Sequence, residues 1–179
     1  MRSRILSANL MPLDLAERVF DFVDGGGVPD PFWGYYEVRE PSFTYKFRRA
    51  WPHAPCGCVL CEAFELLHSA PFCVDMAAFS GVSSVTPASM WLSHYEQGCE
   101  CSWHTDKDNG DIAFIWNLSK NWKVEYGGNL IFDEITFVPS FNQFIAFDVS
   151  GEGRGHRVSP VTVASPKRLA LSGWYRVSS

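Results

Sequence analysis

Apolar residues recur at helical spacing at Ala16, Val19, Phe20 and Val23 within a stretch that starts at Leu13, and Gly25, Gly26 and Gly27 follow it. That pattern predicts one amphipathic helix over Leu13–Val23, stopped by the glycines and laid against a sheet. From Trp33 to Arg49 the chain is rich in β-favouring aromatics and breaks at Glu40-Pro41, which predicts a hairpin of WGYYEVR and FTYKFRR. A second helix is expected from about Val59 to His68 and a shorter one around Phe72 to Phe79. After Gly81 the texture changes to short runs (SMWLSHY, IAFIWNL, NLIFD, FNQFIAFDV, HRVSPV and RLALSGWYR) separated by turn-rich segments. Strands at this spacing without intervening helices predict a sandwich or barrel rather than βαβ units. The expected fold is therefore mainly β with N-terminal helices, an α+β arrangement in a single domain. Residues 1–86 supply the helices and hairpin, and residues 87–179 supply the barrel.

Composition adjusts this picture in three places. With 179 residues, 46% of them hydrophobic, the chain can bury one core, and its seven Trp and fourteen Phe suit rings packed between sheets. A formal net charge of -5 lacks the basic excess that phosphate-backbone binding requires, so no nucleic-acid partner is expected. No apolar stretch approaches the roughly 20 residues of a membrane span, and the N-terminus places Asp14 and Glu17 where a signal peptide would be apolar. A soluble, cytoplasmic protein is expected, with its six cysteines reduced.

The candidate chemistry lies in the second half. His104 and Asp106 are two residues apart at the end of a strand-like run, so their side chains leave one face of an extended backbone and can meet one ion. An octahedral metal that must also bind a chelating cosubstrate and dioxygen accepts about three protein ligands. A second histidine must come from elsewhere, and His156 fits because it opens a later strand after a glycine-rich bend. Arg168 lies at the start of the next strand, where a hairpin return would set it beside the metal strand and let its guanidinium hold a carboxylate by two parallel hydrogen bonds.

The ordered run HYEQGCECSWHTDKD, NLSKNW, YGGNLIFD, FVPSFNQFIAFD, GHRVSPV and KRLALSGWY resembles the double-stranded β-helix, a jelly-roll or cupin-like barrel, of the prolyl 4-hydroxylase-like branch of the iron(II)- and 2-oxoglutarate-dependent dioxygenases. The resemblance covers roughly Met90 to Arg176. It implies iron(II) held by His104, Asp106 and His156, which are also the catalytic centre, with 2-oxoglutarate and O2 as cosubstrates. It also implies Arg168 on the distal carboxylate of 2-oxoglutarate, with Tyr95 bonded to the cosubstrate. Leu130 and Val158 would be apolar walls of that pocket, and Ser172 and Trp174 share the strand face of Arg168. One departure stands out: a position often occupied by tyrosine in the family is Asn117, so an amide would replace a hydroxyl contact to 2-oxoglutarate. The implied reaction decarboxylates 2-oxoglutarate to succinate and hydroxylates an unactivated C–H bond; the intact Asp106 carboxylate argues against halogenation.

The resemblance leaves the substrate open. The short chain favours a small molecule, such as a free or carrier-bound amino acid; the branch resembled favours a peptide or prolyl-type substrate; a non-catalytic sensor that binds metal and 2-oxoglutarate is the reading from another class. The Trp33–Arg49 hairpin is the candidate substrate wall, with Arg48 or Arg49 to meet a carboxylate; Trp174 is a further candidate substrate contact. His53, Cys56, Cys58 and Cys61 offer soft ligands in a short span, yet the cramped C-x-C spacing and the helix expected at Cys61 favour plain reduced thiols. Cys99 and Cys101 are as open to oxidation as to a function. DKDNGD lacks the glycine position and bidentate Glu of a calcium loop, and GEGRG lacks the helix a phosphate cradle needs.

Overall fold

A computed structural model describes residues 5–41, 43–51, 56–150 and 155–178. Eleven strands, β1 (Ile5–Ala8), β2 (Trp33–Glu40), β3 (Phe43–Ala50), β4 (Val85–Tyr95), β5 (Glu100–His104), β6 (Ile112–Asn117), β7 (Leu130–Ile131), β8 (Thr136–Phe137), β9 (Phe144–Asp148), β10 (His156–Val158) and β11 (Arg168–Val177), form one curled sheet with three helices on it. The helices are α1 (Leu13–Asp24), α2 (Val59–His68) and α3 (Ala70–Ser80). The sheet runs β1-β9-β6-β11-β4-β3-β5-β10-β7-β8, with β2 on β3, and its pairs are antiparallel. This is the double-stranded β-helix.

Period-two alternation explains why the central strands are buried on both faces. In β4, β6, β9 and β11, Leu92, Phe114, Phe144 and Leu171 face the helices, in a core shared with Val19 of α1, Leu67 of α2 and Met76 of α3. Their neighbours Trp91, Ala113, Ile145 and Trp174 face the barrel interior. The helices end as their sequence dictates. Ser69 accepts from Phe72 N–H at the start of α3, and Gly81, at φ 69°, closes it in the left-handed conformation. α1 is clamped to α2 by Arg18, which reaches both Glu62 carboxylate oxygens at 2.7 and 2.8 Å.

Two features differ from the sequence pattern. The first 86 residues do more than support the barrel, since β3 sits within the sheet between β4 and β5 and β1 extends it beside β9. The hairpin expected between the strand of His156 and that of Arg168 does not form: β10 pairs with β5 and β7, whereas β11 pairs with β4 and β6. The intervening chain is tied elsewhere, by Gly98 and Cys99 to Val161 and by Tyr126 to Thr162, so it crosses from one side of the barrel to the other.

His94, on β4, packs against Trp33 at 6.0 Å. Its pKa is pulled down to about 4, by burial first, with Lys167 and Arg48 adding to it and Glu96 opposing. The folded state therefore prefers the neutral ring more than the unfolded chain does. The stabilisation is fully present above the unfolded value of about 6.5 and is lost as pH falls toward 4, a difference of up to about 3 kcal/mol. Urea unfolding across that window is expected to show this slope, and His94→Gln is expected to flatten it; an unchanged slope in the variant would assign the acid sensitivity to other groups.

Candidate active site

His104 ends β5 and His156 begins β10, and the two are register partners across the ladder, with ring centroids 4.3 Å apart. Asp106, just past the end of β5, turns its carboxylate between them: Oδ1 lies 3.7 Å from His104 Nε2 and Oδ2 lies 3.4 Å from His156 Nε2. One donor atom from each residue falls within 4.8 Å of the other two. The three positions expected to hold the metal are thus brought together by strand register.

The surroundings prepare this set for a cation. His104 Nδ1 donates to the Ser102 carbonyl at 2.8 Å, which leaves the Nε2 lone pair for a metal. Burial, reinforced by His156, lowers the His104 pKa, so the ring is neutral when it is needed as a ligand. Burial alone would raise the Asp106 pKa, but the hydrogen bond and charge of His156, with His104, prevail and hold the carboxyl below its usual range. Asn109 Nδ2 donates to Asp106 Oδ1 at 3.4 Å, a supporting contact that no sequence pattern marked. Phe43 stands 5.6 Å from His104 and Phe147 4.8 Å from His156, fixing both rings by packing. Two imidazoles and one carboxylate on one side of an open cavity suit an iron(II) ion that keeps positions for other ligands.

Arg168 opens β11 opposite Tyr95 in register, and its guanidinium lies 4.6 Å from the Tyr95 ring. It is 2% exposed, and its Nε donates to the Gly128 carbonyl at 3.2 Å. Among the described residues no carboxylate pairs with it. Burial lowers its pKa, with Tyr95 opposing, and a cation buried without a counter-charge is costly enough to call for an anionic ligand. The donor set and this uncompensated cation both fit a metal with a dicarboxylate cosubstrate. Tyr95, whose phenol burial keeps protonated, packs against Arg168 and lines the cavity beside it.

The three donors line a cavity of about 620 Å³. Leu130 and Val158, register partners across β7 and β10, are in its wall, as are Tyr95, Ser172 and Trp174. Arg168 and Asn117 stand outside that wall. Asn117 is buried, its Nδ2 donates to Gln143 Oε1 at 3.3 Å, and its Oδ1 has no partner. The two arginines of the hairpin part company. Arg48 turns away from the cavity, toward Glu96 at 3.3 Å and Asp30 at 3.5 Å over the Trp33 ring, so it is removed from the substrate wall. Arg49, one residue on, faces the cavity among the rings of Trp91, Phe47 and Tyr36, at 4.3, 4.6 and 4.9 Å. Alternation along a strand makes that choice, and the sequence alone left it open.

Cys101 also lines the cavity, its Sγ 3.5 Å from His104 Nδ1, and burial pushes its pKa up to about 12. A thiol so reluctant to ionise is a poor nucleophile and reacts slowly with oxidants. His53 lies outside the described residues.

This fold and this donor set define a non-haem metal oxygenase. Residues 90–176 match the 2OG-Fe(II) oxygenase superfamily. That segment, which carries all three donors and Arg168, belongs to the family and makes the protein an oxidoreductase of the class that uses iron(II), 2-oxoglutarate and dioxygen. No curated protein matches the sequence. Among solved structures, the fold is similar to that of a Pseudomonas putida prolyl-4-hydroxylase, at 17% identity over 98% of this chain and 92% of that one, with a TM-score of 0.70. It is similar to a Burkholderia pseudomallei oxidoreductase of the 2OG-Fe(II) oxygenase family, at 13% identity over 99% and 86%, with a TM-score of 0.71. A Trichoplax adhaerens prolyl hydroxylase in complex with a hypoxia inducible factor peptide fragment gives 17%, 98% and 83%, with a TM-score of 0.70.

Proposed function

We propose that the protein hydroxylates a small carboxylate-bearing molecule, of which a free amino acid is the simplest case, with Arg49 as the substrate's anchor and Arg168 as that of 2-oxoglutarate. Iron(II), once bound by His104, Asp106 and His156, supplies the activation of dioxygen, coupled to decarboxylation of 2-oxoglutarate to succinate. The chain's own part is placement.

The observation that carries the substrate reading is the state of Arg49. Its side chain lies in the same cavity as the donors, its Nε is buried without a partner, and none of the described carboxylates pairs with it. Burial lowers its pKa, opposed by Tyr95, Tyr45, Tyr36 and Cys101, none of them a carboxylate. Trp91 Nε1, beside it, is likewise a buried donor without an acceptor. Hydrogen-bond donors with nothing to accept from them, inside an aromatic wall, select a ligand with a planar anionic end and an apolar body.

Arg49→Met is expected to cost about 2–3 kcal/mol in kcat/KM for the substrate, roughly 30- to 150-fold, while the KM for 2-oxoglutarate and substrate-free succinate formation stay as they were. A panel of amino acids and small acids, scored by succinate, finds the substrate for this comparison. If Arg49→Met instead raises the KM for 2-oxoglutarate, the two arginines exchange roles and the reading fails.

A peptide hydroxylase is the second reading, favoured by the likeness to prolyl hydroxylases, one of them bound to a peptide. Arg49 would then take an acidic side chain or a terminal carboxylate. Proline-containing peptides in the same panel separate the two: turnover of peptides and of no free acid would favour the second.

A further inference from the structure

Away from the cavity, at the start of α2, the side chains of Cys56, Cys58 and Cys61 converge, with Sγ of Cys61 3.7 Å from that of Cys56 and 3.6 Å from that of Cys58. All three sulfurs fall within 4.8 Å of one another. A tetrahedral zinc ion with Zn–S bonds of about 2.3 Å holds its sulfurs about 3.8 Å apart, so two of these edges already have nearly the length that coordination demands. A disulfide would need about 2.0 Å, and the six cysteines form none.

The backbone is shaped to bring the sulfurs together. Gly57, between the first two cysteines, has φ 71°, a left-handed turn that folds Cys56 back over Cys58. Cys58 is the N-cap of α2 and gives it no side-chain cap bond, so the three sulfurs gather at the positive end of that helix, which favours thiolates. The site is graded from inside to outside: Cys61 is buried, Cys58 packs against the helix-side core, and Cys56 is exposed. Glu62, the carboxylate of the same turn, is held by Arg18 through both oxygens and does not compete as a ligand.

We infer that Cys56, Cys58 and Cys61 form a second metal site, for zinc or another thiophilic ion, chemically distinct from the histidine-carboxylate centre. Three thiolates are soft ligands that select Zn(II) over the iron(II) suited to the other site, and binding releases the thiol protons to solvent. A fourth, outward position is left for an additional ligand. The ion would staple Cys56 and Cys58, just ahead of α2, to Cys61 in the first turn of that helix.

The test uses the whole chain with Asp106→Ala, which disables the first site, purified in the presence of a thiol-sparing reductant. Elemental analysis is expected to find a single zinc per chain, and cobalt(II) is expected to give the near-ultraviolet absorption of thiolate-to-cobalt charge transfer. Adding Cys61→Ser is expected to remove both. Because Cys61 is buried, Cys56→Ser at the exposed corner serves as the second variant, expected to weaken zinc retention at least about 10-fold with an unchanged circular dichroism spectrum. A protein that retains no zinc and shows no charge-transfer band would overturn the site, as would a disulfide among the three formed under the same conditions.

Discussion

Asp106→Ala is expected to leave the protein without iron after ordinary purification and to lower succinate formation at least about 100-fold, since even residues that only support a metal ligand commonly contribute 10- to 100-fold. The reason is geometric as well as electrostatic. Asp106 supplies the only anionic donor of the three, and its two oxygens lie 3.7 and 3.4 Å from the two imidazoles, so its removal leaves neutral rings to hold a dication alone. Anaerobic titration with iron(II) in the presence of 2-oxoglutarate, read by the iron-to-2-oxoglutarate charge-transfer absorption, measures the first effect, and a succinate assay measures the second. An alanine variant with full turnover would remove Asp106 from the ligand set. Asn109→Ala, which deletes the 3.4 Å hydrogen bond to the same carboxylate, serves as a graded control with a smaller loss.

Arg168→Met is expected to act in opposite directions on the apo and the liganded protein. In the absence of cosubstrate the guanidinium is buried, bonded to one carbonyl and stacked on Tyr95, and has no described carboxylate partner. Replacing such a charge with an apolar side chain of similar length is expected to raise unfolding stability by about 1–3 kcal/mol. The same change should raise the KM for 2-oxoglutarate at least about 100-fold, through loss of a charge-assisted bidentate contact in a dry site. Thermal unfolding with and without 2-oxoglutarate reads both effects in one experiment. The wild type gains about 2.7 kcal/mol when the ligand is present at 100 times its Kd, and the variant gains little. A variant that is less stable when free and still stabilised by 2-oxoglutarate would show Arg168 to be a structural cation.

Much of this was legible from local pattern. The strand of Arg168 alternates Leu169, Leu171 and Tyr175 with Ser172 and Trp174, and a two-residue period needs no knowledge of partners to be read. His104 and Asp106 were visible because two residues in extended backbone share a face, and the helices because glycine and an apolar stripe mark them. Information that depends on non-local pairing was not legible. β1 has only four residues, Ile5–Ala8, and becomes a strand because β9 is there to pair with it. The partner of the Arg168 strand depended on where the chain after Val158 is tied down, and those ties run to Cys99 and Tyr126, far away in sequence. Arg48 and Arg49 look alike as letters; the phase of β3 decides which of them shares a cavity with the metal ligands. The cysteine cluster likewise depended on the conformation of one glycine, Gly57.

The two histidines face each other across the junction of β5 and β10, where the register slips before Val158 meets Cys101. β10 has three residues, so this is a thin seam in an otherwise well-paired sheet. An ion held by both imidazoles closes the long segment between them into a loop, as a cross-link would, and withdraws configurational freedom that the metal-free chain keeps. The oxidising centre doubles as the clasp of the barrel. Loss of iron would then do more than stop the chemistry, because it would also unfasten β10 from β5.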